Sequence, residues 1–240
     1  MQDWEGRAVP EPPPRESPPP RSGGPTLLPP VILFLLVTNG LVFLAQQALG
    51  SGLLAAFALW PVGTPDAVMT TTGLGRVPPF QPWQLLTYGF LHGGLFHLFV
   101  NMFALWMFGV VLENVWGSRR FAFYFLVCVV GAGLIQLVVA SSAAAQGAVY
   151  PTVGASGGVF GVLLGFGVMF PNERIMLLIP PIPMKAKYFV IAYGAFELFA
   201  GVTGTMSGVA HFAHLGGMVF GLVVILYWWR QGILRSPPGR

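Results

Sequence analysis

The stretch GASGGVFGVLLGFGVMF, residues 154–170, combines an apolar run with one small polar residue, Ser156, near its start. Gly157, Gly161 and Gly165 recur every four residues, a spacing that lets two membrane helices approach closely. The run is short for a span, because crossing the hydrocarbon core takes about 20 apolar residues. We therefore expect a short membrane helix whose first turn, with Ser156, lies below the membrane surface.

The composition of the whole chain is that of a membrane protein. Of its 240 residues, 55% are hydrophobic and only 8% are charged, whereas soluble domains carry about 25% charged residues. The formal net charge is +4, but the basic residues are scattered and form no stripe. We therefore attribute the positive excess to membrane orientation and predict no nucleic-acid partner. The single cysteine, Cys128, excludes an intrachain disulfide.

Proline and charge divide the chain into three parts. The first 30 residues contain ten prolines and mixed charge, a composition that cannot bury enough apolar surface to fold. We predict a disordered Pro-rich cytoplasmic tail over 1–30, a membrane domain over 31–230 and a short basic cytoplasmic tail over 231–240. A proline-motif ligand for a partner is the alternative interpretation of the first tail.

Six apolar segments predict an all-α membrane protein, a bundle of six transmembrane helices with a short fourth helix. The predicted spans are 31–49, 93–113, 120–141, 156–170, 188–203 and 209–229. With six spans, both termini lie on one side, and the segments on that side carry eleven of the twelve Lys and Arg residues. Only Arg76 falls on the other side. The positive-inside rule therefore predicts cytoplasmic N and C termini.

Polar side chains in three of these spans fall at one depth. His97 and Asn101 lie in the outer half of the second span, Ser156 at the outer end of the fourth, and His214 in the outer part of the sixth. Polar groups in the hydrocarbon region are costly, so each needs a reason to be there. Agreement in depth across three helices predicts that these residues form one site.

The residue types in this predicted site suit nucleophilic catalysis. Ser156 would begin a helix, where free N–H groups and the positive end of the dipole favour an anion. A serine hydroxyl needs a base, and His214 supplies one if the glycines bring spans four and six together. We predict a Ser156–His214 dyad in which the backbone N–H of Ser156 and the side chains of His97 and Asn101 stabilise an oxyanion.

Two further polar residues have no role in the predicted dyad. Glu197 is predicted near mid-membrane on span five, and we expect no acid near Ser156 or His214, hence a dyad and not a triad. A structural hydrogen bond is expected for Glu197, and for His211 a structural or surface position, with an accessory role as the alternative. These two residues, with His97 and His214, could imitate zinc ligands, but no H-E-x-x-H motif is present. We predict no metal and no cofactor.

The polar residues lie in motifs that resemble the rhomboid family of intramembrane serine proteases. The matching stretches are HGGLFHLFVNMFALWMFG (92–109), LENVWGSRRF (112–121), GASGGVFG (154–161) and AHLGGMVFG (213–221). The resemblance covers about 30–230 and implies that Ser156 is the nucleophile, His214 the base, and His97 and Asn101 the oxyanion-stabilising pair.

The resemblance has implications outside the site as well. It implies that Glu113 and Gly117 form a structural turn after the second span. One departure is Trp83-Gln84 in the first outer loop, where many relatives carry Trp-Arg, so any role of that arginine does not transfer.

The resemblance and the predicted dyad together indicate a peptidase. The expected reaction is hydrolysis of a peptide bond in or near the membrane span of single-pass membrane proteins within the lipid bilayer. A catalytically silent, client-binding relative is the alternative, and a small transporter is a third class. The expected location is a bacterial inner membrane, and the sequence does not indicate an oligomeric state. Candidates for a substrate gate and cap are Phe189, Phe196, Phe199 and the loop 203–208.

Overall fold

The computed structural model describes residues 26–65, 67–70, 73–176, 182–205 and 208–234. Most of the predicted N-terminal tail and the end of the predicted C-terminal tail lie outside these ranges. The helices are α1 (Pro30–Leu49), α2 (Ser51–Phe57), α3 (Gln84–Thr87), α4 (Leu95–Ala104), α5 (Val110–Trp116), α6 (Ser118–Ala144), α7 (Ser156–Met169), α8 (Ala186–Thr203) and α9 (His211–Arg230). A π-helical turn, Leu105–Gly109, joins α4 to α5.

Each predicted span corresponds to a helix, with α4 and α5 together forming the second. Four helical segments are long and apolar enough to cross a membrane: Pro30–Leu49, Leu95–Trp116, Ser118–Ala144 and His211–Arg230. The predicted short fourth helix is confirmed as α7, an apolar helix of 14 residues. The fifth segment, α8, has 18 residues and is not among the four. The protein is a multi-pass, mostly helical membrane protein, and the count of six spans stays a prediction.

The connections also contain strands, so the described chain is mostly helical and not all-α. Strands β1 (Ala67–Thr70) and β2 (Gly73–Arg76) form one antiparallel hairpin. Strands β3 (Arg174–Met176) and β4 (Pro183–Lys185) form a second pair between α7 and α8. Backbone N–H and C=O groups need partners, and pairing between strands supplies them where the chain leaves a helix.

The predicted turn after the second span is confirmed, and it also caps the first helix. The carboxylate of Glu113 accepts the N–H groups of Val31 and Ile32 at 2.9 and 2.8 Å, and the hydroxyl of Ser118 at 2.6 Å. The first N–H groups of a helix have no partner within it, and a negative charge there also favours the helix dipole. Gly117, with φ of 80°, lets α5 end and α6 begin at once. Glu113 thus connects α1, α5 and α6.

The close approach of α7 and α9 depends on glycine, as predicted. A Cβ atom on Gly217 would overlap the carbonyl oxygen of Gly157. A Cβ on Gly161 would lie 3.1 Å from the carbonyl oxygen of Gly217. The two helices therefore meet backbone to backbone, which only small residues allow. Gly165 differs from the prediction, because it faces Trp116 and its neighbours and not α9.

The loop between α1 and α4, which is the predicted first outer loop, is organised by Gln84, the residue that departs from the pattern of the resembled family. Gln84 is buried, and its Oε1 accepts the backbone N–H groups of Trp60 and Gln81 at 3.3 and 3.2 Å. The indole N–H of Trp83 donates to the carbonyl of Ala56 at 3.0 Å. A glutamine side chain can accept and donate at once, so it can hold two segments of this loop together.

Cysteine labelling checks the predicted orientation. Two exposed residues, Ser51 after the first span and Asn172 after the fourth, are predicted on opposite sides. In intact cells, a membrane-impermeant maleimide should label Ser51→Cys, and should label Asn172→Cys only after permeabilisation. The native Cys128 is buried and provides a low background. Labelling of Asn172→Cys in intact cells would contradict cytoplasmic termini.

Candidate active site

Ser156 is held at the start of α7 by contacts of the preceding segment. Thr152 pairs with Leu59 of the first outer loop through two backbone hydrogen bonds of 2.9 and 3.0 Å. The N–H of Gly154 donates to the carbonyl of Tyr88 at 2.9 Å. Gly154 has φ of 132°, a conformation that side-chain-bearing residues rarely adopt. The segment before α7 is thereby fastened to the outer loop, and Ser156 takes the first helical position.

Ser156 and His214 are in hydrogen-bond contact. The Oγ of Ser156 lies 2.8 Å from Nε2 of His214. The ring of Phe160, one turn after Ser156 on α7, stacks on the imidazole with centroids 4.1 Å apart and planes 5° from parallel. His214 is buried and Ser156 is half-buried, so the histidine side of the pair lies in the interior of the protein. The predicted meeting of spans four and six at these two residues is therefore present in the structure.

His97 and Asn101 lie beside this pair, on α4. The Nδ1 of His97 accepts the N–H of Gly93 at 3.3 Å, so a neutral ring carries its proton on Nε2. A Cβ atom at Gly154 would lie 3.0 Å from that Nε2 and 3.5 Å from Oγ of Ser156. A side chain at Gly154 would therefore crowd His97, and glycine lets the two groups lie this close to the backbone. One N–H of the Asn101 amide donates to the carbonyl of His97 at 2.8 Å, which leaves the other for a ligand.

One large cavity connects the predicted site residues. Its volume is about 1180 Å³, and His97, Asn101, Ser156 and His214 all line it. Its other walls include residues of α4, α6, α8, the segment before α7 and the connection between α8 and α9. Of the candidate gate residues, Phe189 is among the lining residues, whereas Phe196 and Phe199 are exposed on α8. The cavity is large enough for an extended piece of polypeptide.

The position of Glu197 corrects an expectation. An acid near His214 was not expected, yet Oε2 of Glu197 lies 2.8 Å from Nδ1 of His214 and 2.7 Å from Nδ1 of His211. All three side chains are buried. The expected structural hydrogen bond of Glu197 is therefore present, but its partners are the candidate base and the neighbouring histidine.

The contact between Glu197 and the two histidines crosses from α8 to α9. Glu197 lies in α8, whose C-cap Gly204 is in the left-handed conformation, and His211 is the first residue of α9. The spacing of these residues in the sequence does not by itself place them opposite each other. The prediction put Glu197 at mid-membrane because it used the length of span five alone.

The same three residues are the ones that could hold a metal ion. Within the described ranges, Glu197, His211 and His214 form the group of metal-ligating side chains whose donor atoms lie within 4.8 Å of one another. Their donor atoms already have hydrogen-bond partners in each other, and the remaining ring nitrogens face Ser156 and the carbonyl of Thr205. The absence of a metal stays a prediction.

His92, just before α4, is a neighbour of the site. Its imidazole is buried and lies edge-on to the ring of His97, with centroids 5.2 Å apart. Burial lowers the pKa of His92 to about 4, so the ring is neutral at pH 7. The side-chain amide of Gln46 holds its backbone by accepting the N–H and donating to the carbonyl. His92 therefore adds no charge beside His97.

Comparison with known proteins identifies the family of the chain. The Rhomboid domain model matches residues 79–231. The chain is 34% identical over 140 residues to Rhomboid protein 1, mitochondrial, of Saccharomyces cerevisiae, a match that covers 58% of this chain and 39% of that protein. It is 31% identical over 186 residues to the presenilin-associated rhomboid-like protein, mitochondrial, of Bos taurus, covering 74% and 48% respectively. The matched part thus spans less than half the length of these curated relatives. With a family match over more than half of its residues, the chain belongs to the rhomboid family.

Proposed function

We propose that the chain is a serine endopeptidase that cuts single-pass membrane proteins within or near their membrane span. The observation that carries this proposal is the 2.8 Å contact between Oγ of Ser156 and Nε2 of His214 at the wall of a large cavity. A nucleophile and a base within hydrogen-bond reach are the minimum for acyl transfer. Membership in the rhomboid family supports the same reaction.

In the proposed reaction His214 accepts and returns a proton twice. The Oγ of Ser156 attacks the scissile carbonyl carbon while its proton passes to Nε2 of His214. The C–N bond then breaks, the amine leaves with that proton, and the peptide acyl group stays on Oγ. Water attacks the ester carbon and gives a proton to Nε2, after which the acid product leaves and Ser156 recovers its hydrogen.

The oxyanion formed in each step needs donors that are already in place. The backbone N–H of Ser156 is free because the first N–H groups of α7 have no partner within the helix. The Nε2–H of His97 and the second amide N–H of Asn101 border the same space. Donors held in a site that excludes bulk water stabilise a developing charge without reorganising.

Removing one of these donors should slow the chemical step. We expect Asn101→Ala to lower kcat by about 10²–10³-fold, the usual cost of one oxyanion donor. Asn114→Ala is the matched control, because Asn114 makes the same helical bond to the carbonyl four residues earlier but belongs to α5. Cleavage assays on both variants check this, and equal kcat values for the two would exclude the oxyanion role of Asn101.

The substrate class follows from the surroundings of the cavity. The walls contain aromatic and aliphatic side chains of α4 and α8, among them Phe96, Val100 and Phe189. A membrane helix hides its own backbone in hydrogen bonds, so a carbonyl can reach Ser156 only after local unwinding. We infer a preference for substrates with helix-breaking residues and small side chains near the cut.

Cleavage of a single-span model substrate tests the proposed function. The full chain and the substrate are reconstituted together in liposomes, and product masses locate the cut. We expect two fragments from a cut in the outer half of the span. A substrate that is retained by the protein but stays intact would instead identify a client-binding protein without peptidase activity.

The cellular setting is part of the proposal. The distribution of Lys and Arg supports cytoplasmic termini, which places Ser156 nearer the outer face of a bacterial inner membrane. The relatives named as mitochondrial offer a second setting, and fractionation of cells that express the chain from its own gene distinguishes the two.

A further inference from the structure

Glu197 lies behind the imidazole of His214, on the side away from Ser156. Its Oε2 accepts from the ring at Nδ1, 2.8 Å away, while the opposite nitrogen, Nε2, faces the serine. The side chain of Glu197 is only 4% exposed. A buried carboxylate in this position can act on the base without touching the substrate.

Proton accounting at His214 shows what Glu197 does to the ring. For Nε2 to accept the proton of Ser156, the neutral ring must carry its own proton on Nδ1. That Nδ1–H points at Oε2 of Glu197. This oxygen accepts the hydrogen bond when the carboxylate is ionised, and also when the carboxyl group is protonated but turns a lone pair toward the ring. Glu197 therefore favours the tautomer in which His214 can serve as a base.

The hydrogen bonds of His211 show that it shares a proton with Glu197. The carbonyl of Thr205 can only accept, so Nε2 of His211 donates to it at 3.1 Å. The other nitrogen, Nδ1, faces Oε2 of Glu197 at 2.7 Å, and one proton must lie between these two atoms. Whether the pair is an imidazolium with a carboxylate or an imidazole with a carboxylic acid, its net charge is zero. A neutral pair costs less to bury than a lone carboxylate.

We propose that Glu197 is the orienting carboxylate of a Ser156–His214–Glu197 triad and that His211 is its buried proton partner. The inference rests on the proposed peptidase function. When His214 takes the proton of Ser156, the new imidazolium lies against a carboxylate whose shared proton can move fully to His211. Glu197 is thus a positioning residue, since it acts only through His214.

The substitution Glu197→Gln tests this role with little change in shape. If the amide nitrogen takes the place of Oε2, it donates to Nδ1 of His214 and forces the ring proton onto Nε2, toward Ser156. If the amide oxygen takes that place, both ring nitrogens of His211 must donate to keep their hydrogen bonds. His211 is then a buried imidazolium without a negative partner. Losing the correct tautomer costs serine proteases about 10⁴-fold in kcat. We expect a fall of about 10²–10⁴-fold in kcat with little change in KM.

A matched control separates orientation from folding. Glu113→Gln makes the same change at the other buried glutamate of the described chain, which caps α1. It should lower the thermal unfolding midpoint but leave the kcat of the folded protein near that of the wild type.

Nuclear magnetic resonance on ¹⁵N-histidine protein gives a direct signature of the contact between His214 and Glu197. A downfield Nδ1–H signal of His214 should be present in the wild type and Ser156→Ala. In Glu197→Gln it should be lost or move upfield, because an amide nitrogen forces the proton onto Nε2 and an amide oxygen is a weaker acceptor than a carboxylate.

The outcomes distinguish this inference from the proposed function. If Ser156→Ala is inactive and Glu197→Gln has the kcat of the wild type, the triad is wrong and the peptidase stands. If Ser156→Ala is as active as the wild type, the proposed function itself fails. If a chelator abolishes wild-type cleavage and zinc restores it, the three residues are a metal site and the triad is also wrong.

Discussion

Ser156→Ala is expected to abolish peptide cleavage, with a loss on the order of 10⁶-fold in kcat, the size measured for a catalytic serine in another serine protease. The substitution removes the atom that forms the acyl-enzyme and leaves the cavity and the oxyanion donors in place. Because Ser156 is half-buried and bonded only to His214 through its side chain, folding should change little. Cleavage rates and unfolding midpoints of the same preparation check both parts.

The base should be as important as the nucleophile. His214→Ala leaves Oγ of Ser156 without an acceptor for its proton, so its kcat should fall to the level of Ser156→Ala. Residues that act as a unit are strongly non-additive, so the double variant should be no slower than either single one. A double variant that is slower by the product of both losses would show that the two residues act independently.

Gly217→Ala is expected to give the largest loss of stability. The new methyl group would overlap the carbonyl oxygen of Gly157, a backbone atom that cannot rotate away. Overpacking of this kind costs about 1–3 kcal/mol and sometimes more, and the helices must separate to relieve it. Separation lengthens the contact between Ser156 and His214, so activity should fall together with the unfolding midpoint in detergent.

Gly40→Ala is the matched control for this substitution. Gly40 lies in α1, and a Cβ atom there would meet nothing within 4 Å. Because alanine is the better helix former by about 1 kcal/mol, this variant should be slightly more stable than the wild type. Equal unfolding midpoints for Gly217→Ala and Gly40→Ala would contradict the close packing of α7 on α9.

Most of the membrane fold could be predicted from the sequence, because the length and polarity of a membrane helix are properties of one continuous stretch of residues. Length and polarity located a helix at each of the six predicted segments, and the short fourth run correctly indicated that α7 is brief. The glycine spacing indicated which helices approach closely, and this brought Ser156 and His214 together. The π-helical turn in the second span and the two pairs of strands were not predicted, since they depend on how neighbouring segments pack.

The contacts of Glu197 could not be predicted from its position in the sequence. Its depth was estimated from its place along span five, but its contacts depend on the turn at Gly204 and on the angle between α8 and α9. A polar residue on one helix can reach a partner on the next helix only through that geometry. The acid near His214 therefore became visible only in three dimensions.

The most direct test of the account is covalent labelling with a fluorophosphonate probe, followed by mass spectrometry of the labelled peptide. An activated serine attacks this probe, whereas an ordinary hydroxyl does not. The account predicts that the wild type is labelled on Ser156, and that Ser156→Ala and His214→Ala are not labelled. Label on another residue, or equal labelling of Ser156→Ala and the wild type, would contradict Ser156 as the nucleophile.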